Sequence, residues 1–108
     1  MDGEIELDNF GGYAPIQAKG KVGKLNFYFR ARWDTWRFEI GKLGVEVPAL
    51  KDDELLFTRE GDFLSGDSHE EMATVIVNCF KEYFAETQNP NAAKLLSDLT
   101  EKLRAIKI

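Results

Sequence analysis

IQAKGKVGKLNFYFRARWDTWRFEIGKLGVEV, residues 16–47, reads as an antiparallel meander. Two segments set its rhythm, Val22-Gly23-Lys24-Leu25 and Ile40-Gly41-Lys42-Leu43. In each, an apolar residue precedes Gly-Lys and another follows. Glycine as the first central residue of a two-residue loop suits a type II′ hairpin turn, because it reaches positive φ without a Cβ clash. Between them, Trp33-Asp34-Thr35-Trp36 marks a third reversal.

These turns predict a register. A turn at Gly23-Lys24 sets Val22 opposite Leu25, Gly20 opposite Phe27, Ala18 opposite Phe29 and Ile16 opposite Ala31. A reversal at Asp34-Thr35 sets Trp33 opposite Trp36, Ala31 opposite Phe38 and Phe29 opposite Ile40. A turn at Gly41-Lys42 sets Ile40 opposite Leu43, Phe38 opposite Val45 and Trp36 opposite Val47. All three place the small and apolar residues on one sheet face, which a one-residue slip would destroy. The expected strands are 15–22, 25–33, 36–41 and 43–47, with Pro48 closing the last.

Upstream, Glu4, Glu6 and Asp8 alternate with Ile5 and Leu7, the pattern of a half-buried strand. Asn9-Phe10-Gly11-Gly12 is expected to end it. Folded back, it sets Ile5 opposite Gly20 and Leu7 opposite Ala18, with Glu4 and Glu6 near Lys21 and Lys19. Downstream, residues 49–67 fit a small hairpin at Glu60-Gly61 and an irregular loop equally well.

Two helices follow. Ser68 and Glu71 form a capping box, in which each side chain satisfies a free N–H at the helix start. Met72, Val75, Ile76, Cys79, Phe80, Tyr83 and Phe84 then recur on one helical face. Gln88-Asn89-Pro90 ends that helix, and Asn89 caps the next with Pro90 at its first position. Ala92, Leu95, Leu96, Leu99, Leu103 and Ile106 form the second apolar stripe. An apolar sheet face and two apolar helix stripes bury one another as a two-layer α+β sandwich. The expected fold is a four- to five-stranded antiparallel meander sheet with both C-terminal helices on one face, a single domain over residues 1–108.

Length and composition agree. With 108 residues, 44% hydrophobic, the chain suits one cored domain. A single cysteine forms no internal disulfide, no apolar run spans a bilayer, and the acidic start is unlike a signal peptide. A cytoplasmic setting without membrane partners is expected. The net charge of −5 is segregated: residues 19–42 carry seven bases and two acids, residues 43–78 two bases and nine acids. The meander is basic inside an acidic protein, which argues against a global affinity for nucleic acid but leaves a local one open.

The polar sheet face carries the first candidate site, Tyr28, Arg30, Arg32 and Arg37. In the predicted register Arg30 faces Glu39 and Arg37 faces Glu46. Arg32 faces Arg37, a like-charge pair that ladders disfavour. Two guanidinium forks beside a tyrosine suit a carboxylate or a phosphate, and bases around an aromatic ring suit single-stranded nucleic acid. The plainer alternative has Arg37 satisfied by Glu46 and Arg32 extended into water. The second candidate is the acidic stretch of Asp52, Asp53, Glu54, Glu60, Asp62, Asp67, Glu70 and Glu71, a surface for a basic protein patch or simply a solvated loop plus the usual acids of a helix's first turn. The third is Trp33 with Trp36, interaction anchors if exposed, or a cross-strand pair closing the core.

No catalytic constellation is legible. His69 at a helix start is expected to be exposed, and Cys79 on an apolar stripe to be buried; ten residues apart, they make no dyad or metal site. No phosphate-binding glycine loop, nucleophile elbow or calcium-loop pattern is present. No cofactor or metal is expected, and only convergence of carboxylates would make an enzyme. In size, charge and missing motifs the chain resembles the small acidic proteins of phages and mobile elements that inhibit host enzymes. That resemblance implies a protein partner. The leading expectation is a non-enzymatic protein-binding module or inhibitor acting through a charged surface; the alternative is nucleic-acid or small-anion binding through the basic-aromatic sheet face. A homodimer through the open sheet face or an edge strand at 43–47 is a further option.

Overall fold

The computed structural model describes residues 4–12, 15–32, 34–62 and 68–105. Five strands form one antiparallel sheet in chain order: β1 (Ile5–Gly11), β2 (Ile16–Val22), β3 (Leu25–Arg32), β4 (Thr35–Gly41) and β5 (Leu55–Asp62). Two helices follow, α1 (His69–Thr87) and α2 (Ala92–Ala105). The architecture is the α+β two-layer arrangement expected.

The β2–β3 hairpin matches the predicted register pair for pair, from Val22 opposite Leu25 to Ile16 opposite Ala31. Gly23 takes φ +61°, the positive value that its turn requires. The next reversal comes one residue earlier than predicted. Arg32 stands opposite Thr35. Every partner moves by two, so the faces survive while the pairs change: Phe29 lies opposite Phe38 and Phe27 opposite Ile40.

The hairpin predicted at Gly41-Lys42 does not form, and residues 43–47 are not a strand. The chain instead makes a turn in which the Val45 N–H donates to the Lys42 carbonyl (3.0 Å), then doubles back across the open sheet face. Gly41 permits the crossing: a Cβ there would lie 3.2 Å from both the Val45 carbonyl oxygen and Val47 Cγ1. Val47 is buried as a result. After a 3-10 turn at Asp52–Glu54, β5 pairs with β4. Residues 55–62 are thus neither the hairpin at Glu60-Gly61 nor the irregular loop expected; alternation does not reveal the strand, because its helix-side positions are Phe57, Arg59 and Gly61, only one of them apolar. Arg59 is accommodated there by lying over the Phe57 ring (4.1 Å) and pairing with Glu82 and Glu86 of α1.

β1 also runs further than predicted. Its register also differs from the one predicted, with Ile5 opposite Val22 instead of Gly20 and Leu7 opposite Gly20 instead of Ala18; a bulge between Leu7 and Asn9 then carries the strand on and sets Phe10 opposite Ala18. One extra residue restores the apolar alternation and buries Phe10.

Both helices cover the apolar face. Phe80 of α1 meets Phe27 and Phe38 edge-on, each at 5.0 Å, and Tyr83 meets Phe57 at 5.3 Å. Truncating such a buried ring costs about 3–5 kcal/mol. The Ser68–Glu71 capping box starts α1, and Gln88 ends it in the left-handed conformation. Asn89 Oδ1 accepts from the Asn91 N–H (2.8 Å) ahead of α2. Leu99 and Leu103 join the core, and Lys102 Nζ donates to the Ile5 carbonyl (2.6 Å). On the other outer strand, Arg59 donates to the Thr58 carbonyl (2.8 Å). Each outer strand therefore has a carbonyl occupied by a basic side chain, a common protection against edge pairing.

Candidate functional site

The side chains facing away from the helices come from alternate strand positions. Gln17, Lys19 and Lys21 stand on β2, Tyr28, Arg30 and Arg32 on β3, and Arg37 and Glu39 on β4. The tighter β3–β4 reversal corrects the predicted pairs: Arg30 stands opposite Arg37, Tyr28 opposite Glu39, and Arg32 opposite Thr35. Arg37 faces Glu60 on its other side, not Glu46, which lies on the loop and is exposed.

Glu39 is 4% exposed because residues 45–49 cross over it. Its Oε1 accepts from Arg37 Nε (2.9 Å) and its Oε2 from the Ala49 N–H (3.4 Å). Arg37 also pairs with Glu60 and lies 3.7 Å from Asp52. Burial works against its charge, but the bonds to Glu39 and Glu60 outweigh that, and its pKa is held above the ordinary arginine value. Arg37 is thus a structural charge, locking the loop to the sheet.

Tyr28, Arg30, Arg32, Thr35, Arg37, Glu39 and Pro48 line a shallow hollow of about 250 Å³. The Tyr28 hydroxyl donates to Gln17 Oε1 (2.6 Å). Burial pushes its phenol pKa up, partly offset by the neighbouring Arg30 charge. Arg30 is exposed and makes no ion pair among the described residues. Three guanidinium groups meet one buried carboxylate in this hollow, and the acids at its rim, Asp52 and Glu60, are both directed at Arg37. The Arg30 side stays positive.

Other candidates fall elsewhere. Trp36 lies on the helix side, half-buried, stacked with Phe29 (6.0 Å) and packed over Gly61. Trp33 and Asp67 are outside the described residues. Asp52, Asp53 and Glu54 form the 3-10 turn at the loop's end, where the Glu54 side chain accepts from the Lys51 N–H (3.1 Å). Glu70 and Glu71 are in the first turn of α1, and Glu71 belongs to its cap. The Cys79 thiol is buried as expected, and burial pushes its pKa up to about 12. His69 is half-buried, contrary to expectation, because its Nε2 bonds to the Gly12 carbonyl and its ring meets Phe10 edge-on at 6.1 Å.

Nothing in the sequence signalled an apolar groove between the helices. A groove of about 480 Å³ lies between α1 and α2, with Phe10, Ala73, Val77 and Leu103 among its lining. No motif marks it, because its residues come from three elements distant in sequence. Among the described residues no His/Cys/Asp/Glu cluster could hold a metal ion, and no helix is long and apolar enough to cross a membrane.

No protein-family model matches the chain, and neither a curated protein nor a solved structure shows significant similarity to it.

Proposed function

We propose that the chain is a non-enzymatic binding module or inhibitor that engages a protein partner through the open face of its sheet, with a partner carboxylate seated beside Arg30. The observation that carries this is the charge arrangement of the hollow. Arg37 is neutralised by Glu39 and Glu60, while Arg30 directly opposite has no ion pair among the described residues. A positive group held on a rigid ladder, beside a tyrosine and a second arginine, is suited to an anionic side chain.

A carboxylate is favoured over a single nucleic-acid strand because stacking needs exposed rings. Tyr28 is the one aromatic side chain on this face among the described residues, and it is half-buried and tied to Gln17. The test is fluorescence anisotropy with a labelled poly-glutamate peptide and a labelled single-stranded oligonucleotide. The peptide is expected to bind more tightly, with an affinity that falls as salt rises. Arg30→Glu with Arg32→Glu is expected to weaken it about tenfold or more. Unchanged peptide binding in the double variant overturns the proposal, and tighter oligonucleotide binding transfers it to the nucleic-acid reading.

A further inference from the structure

We propose that the loop of residues 42–54 is a preorganised docking finger, inserting Leu50 into an apolar pocket with a basic rim on a partner protein. This rests on the protein-binding reading above but concerns a different part of the surface. The loop is an excursion whose ends meet, since the Lys42 N–H donates to the Glu54 carbonyl at 2.9 Å. Compact surface loops closed in this way are often functional.

Its interior is tied down on both sides of Leu50. Before it, Asn26 Nδ2 donates to the Val45 carbonyl (2.9 Å), Val47 is buried, and the Ala49 N–H donates to Glu39 Oε2 (3.4 Å). After it, the Lys51 N–H donates to Glu54 Oε1, and the Glu54 N–H returns to the Lys51 carbonyl, both at 3.1 Å. Between these anchors Leu50 is 96% exposed.

A single exposed leucine is ordinary on a protein surface. Two further facts distinguish this one. The other exposed large hydrophobics among the described residues, Leu43 and Leu56, lie in the same stretch of chain. The backbone on either side of Leu50 is already ordered, so a partner that buries the side chain has little loop entropy left to overcome. Asp53 stands exposed three residues on, and Asp52, exposed two residues on, also lies 3.7 Å from Arg37; together they outnumber the exposed Lys51 beside Leu50. They define the rim chemistry of the receiving pocket as basic and disfavour an anionic membrane surface.

The test places a photo-crosslinking amino acid at position 50, and in parallel at the exposed Lys94 of α2, in the cells that make the protein. The protein joined through position 50 is identified by mass spectrometry, purified, and titrated against the unmodified chain. The proposal expects much higher crosslinking from position 50 than from position 94. It expects Leu50→Ser to weaken binding about tenfold to a hundredfold, the worth of burying one leucine side chain. Leu50→Met should bind nearly as well, and Asp53→Lys should weaken binding at low salt only.

Equal crosslinking at the two positions overturns the proposal, as does undiminished binding of Leu50→Ser. An adduct with a second copy of the chain or with lipid also overturns it. Arg30→Glu separates the two readings. If it leaves affinity intact while Leu50→Ser weakens it as expected, the finger stands and the sheet-face reading falls; the converse result removes the finger alone.

Discussion

Arg30 stands directly opposite Arg37 across the β3–β4 ladder, and only Arg37 has carboxylate partners among the described residues. Like charges directly opposite on a ladder destabilise it, and a sheet tolerates them where one is neutralised from elsewhere. Glu39 and Glu60 draw the Arg37 guanidinium toward β5, which leaves Arg30 as the positive side of the hollow. Replacing Arg30 removes a repulsion without breaking any ion pair seen among the described residues. Arg30→Gln is expected to raise stability by about 0.2–1 kcal/mol. Urea unfolding at low and high salt checks this, and the gain should shrink as salt screens the pair.

Arg37 is expected to behave oppositely. Arg37→Met leaves the buried Glu39 carboxylate without its charged donor and frees one tether of the loop. The expected loss is about 1.5–3 kcal/mol, the range for a hydrogen bond to a charged group. Glu39→Gln in the same background should recover part of it. A double-mutant cycle by urea unfolding measures the coupling, and strictly additive losses would contradict this role for Arg37.

Gly20 on β2 has no room for a side chain beside β1. A Cβ at this position would lie 1.9 Å from the Glu6 carbonyl oxygen and 2.9 Å from Phe27 Cε2, so backbone would have to move. Gly20→Ala is expected to cost about 1–3 kcal/mol or more. Hydrogen exchange should show protection lost in β1 before the rest of the sheet. A variant as stable as the parent would rule out this close approach.

Cys79 predicts an alkaline limit. Burial raises its thiol pKa from 9.0 to about 12 in the fold. Between those values the folded chain keeps a proton that the unfolded chain has lost, so stability falls as pH rises. The contribution is complete below pH 9.0 and disappears progressively toward about 12. Cys79→Ala should flatten this limb in urea titrations at successive pH values, whatever it costs at neutral pH. In the folded parent the thiol should resist iodoacetamide, and in denaturant it should react at the rate of a free cysteine.

Much of the fold was legible because local chemistry specifies it. Gly23 takes the positive φ that the β2–β3 turn needs, and the predicted register followed residue by residue. Ser68 and Glu71 located the start of α1. The β3–β4 pairs were not legible, since moving the turn by one residue shifts each partner by two and leaves every residue on its predicted face. Alternation therefore identified Arg30, Arg32 and Arg37 as neighbours on one surface but not which of them opposes Arg37.

By itself the sequence determined the faces of β2, β3 and β4, the helix stripes that cover them, and that the open side is basic at β2–β3; it also placed Leu43 and Val45 on the core face of a strand that does not form, and Leu43 is exposed. Only the tertiary structure decided what crosses that open side. Gly41-Lys42-Leu43 has the same local pattern as Gly23-Lys24-Leu25, yet it leads into a loop instead of a hairpin. The difference comes from contacts distant in sequence: Asn26 with Val45, Ala49 with Glu39, and β4 with Leu55–Asp62. Periodicity reports the side a residue faces and carries no information about such partners, so the burial of Glu39 and the exposure of Leu50 emerged only once the chain was folded.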